Sequence, residues 1–378
     1  MAAEADRAWR AQRARVRSYA EAAGIPLRTE FEDGGVAALQ RIENGRPVFY
    51  TTYNRGGAIT SSVDAVRPGK NLGLALTGEP RRLGIWDSGR VRATHQEFGG
   101  RVEQQDSAAA LSGHATHVGG TMVAAGVRAE AKGMAYKARL DAYSFGNDNA
   151  EMANAAAAGL RVSNHSYGRI TGWHRGTFCG SRSDWTWFGN PDISPTEDYR
   201  FGFYGRDAKT WDEYVRTSRR YVIVKSAGND RNDRPPSQPT EHFIFDENGN
   251  CTTSQQERAP DGGADGYESV GSAATAKNIL TVGAVEGIEG GYAAPSDVQM
   301  SSFSSWGPTD DGRLKPDIVA KGVSVLSSYS GGDADYSTLS GTSMSSPMVS
   351  GSVALLQEHY QSIHGQDPWA STIKSVLI

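Results

Sequence analysis

No apolar run in this 378-residue sequence approaches the roughly 20 residues that a membrane helix needs, so no helical membrane span is expected. The sequence also lacks a basic block that would mark a nucleic-acid surface and an acidic tail that would mark disorder; its net charge is −4, with both signs interspersed. Its start, Met1-Ala2-Ala3-Glu4-Ala5-Asp6-Arg7, is charged and helix-forming and does not read as a signal peptide. A secreted or extracytoplasmic protein whose start follows a removed signal is the expectation, with a cytoplasmic one left open. There are only two cysteines, Cys179 and Cys251, both in polar, turn-rich stretches. A disulfide between them would favour an oxidising compartment, and two unrelated thiols fit equally well. No internal repeat and no long low-complexity tract interrupts the chain.

What is present is glycine, 45 residues of it, and an apolar fraction of 38%, enough for a sizeable core. Residues 4–22 read as a polar, Arg- and Ala-rich helix ended by Gly24-Ile25-Pro26. Three short alternating segments follow, Leu27 to Phe31, Val36 to Ile42 and Pro47 to Tyr53, as a strand meander. Arg55-Gly56-Gly57-Ala58 reads as a linker. Residues 1–56 thus form a small N-terminal α+β unit, accessory or pro-segment-like, and residues 57–378 a larger domain. Within the latter, strands and helices alternate: strand Leu83 to Trp86, helix His114 to Ala125, strand Arg139 to Phe145, helix Ala150 to Ala158, strand Arg161 to Tyr167, helix Ala208 to Arg219, strands Tyr221 to Ser226 and Asn278 to Val285, and helix Met344 to Gln361. This spacing predicts an α/β fold, a mainly parallel sheet with helices on both faces and active residues at the carboxyl ends of strands. Residues 170–206 and 230–265 are too long for ordinary connections and read as surface insertions. A last helix, Trp369 to Ile378, ends without a polar cap, and the natural protein is expected to continue.

Four segments carry chemistry. In Ser340-Gly341-Thr342-Ser343-Met344-Ser345-Ser346-Pro347, Ser343 stands at a helix N-terminus, where its backbone N–H is an unpaired donor able to bind a developing oxyanion. Pro347 is placed in the first turn, where a missing N–H costs little. The plain alternative is a Ser/Thr cap followed by packing residues. A serine hydroxyl needs a base, and Gly113-His114-Ala115-Thr116-His117 supplies two histidines. His114, at the helix start, is the base candidate; His117, nearly one turn on, is structural. A metal-binding His-x-x-His pair is disfavoured because the Glu of a zinc-peptidase helix is missing. The base needs an orienting carboxylate, and Leu83-Gly84-Ile85-Trp86-Asp87-Ser88-Gly89 puts Asp87 at the end of an apolar strand, although Asp-Ser-Gly is also a common turn. Finally, Val222 to Ala227 leads into Gly228-Asn229, whose side-chain amide is an oxyanion-donor candidate or an ordinary turn residue.

Together and in this order the four segments resemble the subtilisin-like serine peptidases. Further resemblance lies in Val162-Ser163-Asn164-His165-Ser166-Tyr167-Gly168, in Ser302-Phe303-Ser304-Ser305-Trp306-Gly307-Pro308 and in Gly312 to Asp317. The last of these runs is most similar to the branch with an added C-terminal β-domain. Ala115 and Ser345 replace the family's usual Gly and Ala, both small changes.

The resemblance implies a serine endopeptidase that hydrolyses protein or peptide substrates through an acyl-enzyme, with Asp87, His114 and Ser343 as triad and Asn229 as oxyanion donor. It implies that Ser166, Tyr167 and Gly168 form one wall of the pocket for the residue before the scissile bond, and Ser226, Ala227 and Gly228 the other. Gly146 would mark the edge strand for upstream substrate residues, and Asp230 is either a rim charge favouring basic side chains or a solvated surface residue. No cofactor is required for the chemistry. Structural calcium is common in the family, and Asp246-Glu247-Asn248-Gly249-Asn250 alternates oxygen ligands, with Glu257 at the twelfth position. Cys251 stands where a calcium loop needs Gly, so a hairpin turn is the better reading. A dedicated precursor-processing peptidase or macrocyclase on the same fold, and a non-catalytic binding module, remain alternatives.

Overall fold

The computed structural model describes residues 14–22, 27–30, 36–43, 46–51 and 54–378, except 71, 177, 180–183, 235–239 and 264. The described part of the N-terminal helix is α1 (residues 14–22), whose Val16 and Ala20 are buried together, with Tyr19 and Leu27 against them. Residues 4–13 of the expected helix lie outside the described residues. The expected meander forms: β1 (Arg28–Glu30), β2 (Val36–Glu43) and β3 (Arg46–Thr51) make an antiparallel sheet in that order.

The linker reading of residues 55–58 is overturned. They lie within α2 (Asn54–Thr60), Ala58 is fully buried in the main core, and the Thr60 hydroxyl accepts the amide of Ile288 at 2.9 Å. Two adjacent glycines suggested a break. The packing of this short helix on the main sheet outweighs their weak helix propensity.

The main sheet has seven strands: β4 (Arg82–Asp87), β5 (Val102–Gln104), β6 (Arg139–Ser144), β7 (Val162–His165), β10 (Val222–Ser226), β13 (Leu280–Val285) and β14 (Ile318–Lys321). Their order is β14-β13-β10-β7-β4-β6-β5, and every pairing is parallel. All residues of β7, β10 and β13 are buried, the pattern of strands covered on both faces. The covering helices are α3 (Gly113–Val123), α4 (Asp148–Ala157), α5 (Arg206–Thr217) and α6 (Thr342–His364), followed by the short α7 (Ala370–Leu377). These match the expected helices within a few residues. β5, β14 and the hairpin β15 (Val325–Ser328) with β16 (Tyr336–Leu339) went unread, because each is only three or four residues long.

The two supposed insertions are one structure. β8 (Trp173–Arg175) and β9 (Trp185–Trp187) come from the first, β11 (His242–Phe245) and β12 (Cys251–Ser254) from the second. They join as a four-stranded sheet, β12-β11-β9-β8, in which β9 and β11 run parallel. Trp173 and Trp187 are buried there, the Arg258 guanidinium lies 3.9 Å from the Trp187 ring centre, and Cys179 is bonded to Cys251. The disulfide reading therefore holds. Asp246 to Asn250 is the turn of the β11–β12 hairpin, and the Asp246 carboxylate accepts the amides of Asn248 and Asn250. Among the described residues no group of three or more His, Cys, Asp or Glu could hold a metal ion.

Candidate active site

Asp87 is the last residue of β4 and is 1% exposed. Its Oδ1 accepts the Ser88 amide at 2.7 Å, the Ser88 hydroxyl at 3.0 Å, and lies 2.7 Å from His114 Nδ1. His114 is the second residue of α3, which Ser112 caps by accepting the Ala115 amide. Gly113 lets the end of the Tyr329 side chain pack against the helix start, where a Cβ would fall 2.3–2.6 Å from its ring and hydroxyl. Burial lowers the pKa of the His114 imidazole, but the hydrogen bond to Asp87 and its charge outweigh burial, so the net shift is upward from 6.5. His117 is fully buried, with Nε2 on the carbonyls of Val325 and Ser337, and burial drives its pKa down to about 4. It fastens α3 to the β15–β16 hairpin, as its structural reading anticipates.

Ser343 is the second residue of α6, so its amide belongs to the first-turn donors that have no partner within the helix. Its hydroxyl donates to the carbonyl of Ser166 at 3.2 Å. Pro347 is the sixth residue of this helix and lies beyond the first turn, which corrects the sequence reading. Having no N–H, it leaves the Ser343 carbonyl without its i+4 donor. The Ser166 hydroxyl donates to that carbonyl instead, at 2.9 Å. Proline is tolerated here because a side chain from β7's end replaces the lost hydrogen bond, and the same contact ties the serine to the main sheet.

Asn164, in the middle of β7 and fully buried, extends this tie. Its amide nitrogen donates to the Ser166 hydroxyl at 2.9 Å, and its oxygen accepts the hydroxyls of Ser346 and Ser350 at 2.8 and 3.0 Å. The sequence alone assigns Asn164 no role. An asparagine inside a strand that reads as part of the buried sheet was the available signal.

Asn229 follows β10 by three residues, and its side-chain oxygen accepts both the amide and the hydroxyl of Thr342 at 2.9 Å. Those bonds fix which end of the amide is free: Nδ2 faces the turn at Gly341, where a Cβ would lie 3.3 Å from Nδ2 and 3.7 Å from the Ser343 nitrogen. Two donors thus flank one small space beside the serine. Gly228 has φ +118°, and a Cβ on it would strike the Asp230 carboxylate at 2.6 Å and the Ser305 hydroxyl at 2.8 Å.

Ser166, Tyr167, Gly168, Ser226, Ala227 and Gly228 line one cavity of about 190 Å³ together with Asn229 and Ser343. Gly146 does not line it; it lies in a single 3-10 turn after β6. Asp230 also lines the cavity and is half-buried, unlike a freely solvated residue. Burial and the neighbouring Asp233 raise its pKa to about 6.

A family model of the subtilases, a peptidase family, matches residues 42–378. The chain belongs to the subtilase family of subtilisin-like serine endopeptidases. It is 52% identical over 66 residues to C5a peptidase of Streptococcus pyogenes, a match covering 18% of this chain and 6% of that protein. It is 35% identical over 101 residues to serine protease AprX of Bacillus subtilis, covering 24% of this chain and 22% of that one. The chain therefore matches only a small part of the length of these relatives. Its fold is similar to that of the Clostridium perfringens CspB protease, with TM-score 0.54 and 17% identity over 85% of this chain and 90% of that one.

Proposed function

We propose that this chain hydrolyses peptide bonds through an acyl-enzyme, with Ser343 as nucleophile, His114 as general base and Asp87 as the carboxylate that orients it. The observation that carries this reading is the 2.7 Å contact between the buried Asp87 Oδ1 and His114 Nδ1. It fixes the tautomer with Nδ1 protonated and leaves Nε2 to accept a proton. Before attack, the Ser343 hydroxyl must turn from the Ser166 carbonyl toward His114; catalytic hydrogen bonds commonly tighten only when substrate is bound. Asn229 Nδ2 and the Ser343 amide are the proposed oxyanion donors, supported by the space they share at Gly341. His114 then protonates the leaving amine, and water releases the acyl group. The cavity between residues 166–168 and 226–228 receives the side chain before the scissile bond, from a protein or peptide substrate bound extended.

The Cys179–Cys251 bond supports an oxidising, extracytoplasmic setting. No described helix is long and apolar enough to cross a membrane. We propose the N-terminal unit as an accessory or pro-segment-like layer that ends before α2, since α2 packs in the main core. Lower activity in the full chain than in one lacking this unit would support inhibition by it.

Covalent labelling of Ser343 by a fluorophosphonate, lost in Ser343→Ala, tests the chemistry. Folded protein that is never labelled and cleaves no peptide overturns it and favours a binding module. Mass spectrometry of products from mixed peptides separates general hydrolysis from processing or ligation of one dedicated precursor.

A further inference from the structure

The substrate cavity contains a charge that the reaction does not use. Lys225 lies on β10 between Val224 and Ser226 and is only 4% exposed. Its ammonium donates to the carbonyl of Ser226 at 3.0 Å and to the Ser226 hydroxyl at 3.2 Å. An ammonium has three N–H donors, and both acceptors belong to one neighbouring residue. No carboxylate oxygen among the described residues lies within ion-pair distance of it. The ammonium sits beneath one pocket wall: a Cβ on Gly168 would be 3.8 Å from Lys225 Nζ. Lys225 and Ser343 line the same cavity, while Lys225, 5.8 Å from the Tyr167 ring centre, also lines a neighbouring cavity with Asp148 and Asp207.

Other charges bear on that cavity. Arg169 lines it from the exposed side, and His174 lines it half-buried. Asp230 is the one carboxylate along the lining, and it is partly engaged, accepting the Ser305 hydroxyl at 3.2 Å beside Gly228 on the opposite wall. With Lys225 and Arg169 against Asp230, a cationic balance faces an incoming side chain. A buried ammonium with an unused donor is costly unless it is paired. An apolar side chain entering this cavity would displace water from the ammonium and supply nothing in return, whereas a carboxylate would complete its third hydrogen bond.

We propose that Lys225 is a specificity-determining residue and that the cavity takes an acidic side chain, so that cleavage follows glutamate or aspartate. This rests on the peptidase reading above. Burial lowers the pKa of Lys225 to about 8, and Asp230 opposes that shift, so the ammonium is charged at neutral pH. The preference should accordingly fade as pH rises through about 8, where Lys225 loses its proton while Asp230, with its pKa raised only to about 6, stays ionised. The other titratable groups packed on the ammonium, His165 and Tyr167, stay neutral there, because burial holds the first well below 6.5 and the second well above 10.

The test uses peptides identical except for Glu, Gln, Leu or Arg before the scissile bond, assayed at pH 7 with the full chain. The wild-type kcat/KM for Glu should exceed that for Gln by roughly 10- to 100-fold, the worth of a hydrogen bond between charged groups. That ratio should collapse toward one in Lys225→Met and persist in Lys225→Arg, with fluorophosphonate labelling used to confirm folded protein. A wild-type ratio near one, a preference for Arg, or a ratio that survives Lys225→Met would overturn the proposal. Calorimetry on Ser343→Ala reads the same pocket without turnover, using product peptides ending in Glu or Gln. Tighter binding of the Glu peptide supports the pocket assignment even if no peptide is ever hydrolysed, the result that would sink the peptidase reading alone. Equal binding overturns the assignment.

Discussion

The parallel seven-stranded sheet and the four-stranded sheet beside it divide the work of the site between them. The first carries the groups proposed to do the chemistry. Asp87 ends β4, Ser166 follows β7, Asn229 follows β10, and α6 presents Ser343 against them. The second contributes no reacting group; its segment instead supplies cavity lining from Thr171, His174 and Phe201. The two are also held together differently. The large sheet is buried on both faces by helices, whereas the small one relies on two buried tryptophans, a stacked arginine and a disulfide. This follows from size. A few short strands cannot bury enough apolar surface to be stable alone, and a covalent tie supplements their core.

Four experiments would break or sharpen this contrast. The largest effect belongs to the main sheet's chemistry: Ser343→Ala should reduce kcat on the order of 10⁶-fold, the loss already known for subtilisin, with the unfolding midpoint nearly unchanged. A small loss would take the reaction away from this residue.

Next is the small sheet. Replacing both Cys179 and Cys251 by Ala opens a cross-link spanning 72 residues and should cost up to about 4 kcal/mol of stability by the chain-entropy account. Denaturant unfolding measures it. If the division of labour is right, fluorophosphonate labelling should survive at temperatures where the variant is folded, and selectivity among substrates should change more than rate.

Asn229→Ala should lower kcat by about 10²–10³-fold, the effect of losing an oxyanion donor. Unlike Ser343→Ala, it should also lower stability measurably, because its oxygen holds the amide and hydroxyl of Thr342. Unchanged kcat with reduced stability would reassign Asn229 as a purely structural residue.

The smallest effect is the pH dependence. The base must be neutral, so kcat/KM should fall about tenfold per unit of pH below the His114 pKa, which lies above 6.5. The stability linkage has the opposite sign. The imidazolium–Asp87 pair stabilises the fold fully below the ordinary pKa of about 6.5, and that contribution is lost as pH rises through the raised pKa. A rate profile that stays flat well below 6.5 would remove His114 as the base.

Legibility in the sequence followed the range of the interactions involved. The long helices and buried strands were readable because a sustained apolar pattern encodes them locally, and Asp87, His114, Asn229 and Ser343 could be singled out as candidates because each sits in a short, ordered motif. The linker assigned at Arg55–Ala58 failed because the packing of Ala58 in the main core outweighed the local glycine signal. The Asn164 tie was missed because its partners, Ser346 and Ser350, lie 182 and 186 residues away along the chain.

By itself, then, the sequence determined the class of fold and pointed to the groups proposed to react, since strand ends, helix starts and their small flanking residues are written in contiguous stretches. Only the tertiary structure decided that the two insertions share one sheet, that Ser166 replaces the hydrogen bond which Pro347 removes, and that the buried Lys225 lines the same cavity as Ser343. Each of these depends on surfaces brought together from distant segments, where packing and the cost of leaving buried polar groups unpaired, rather than local propensity, select the arrangement.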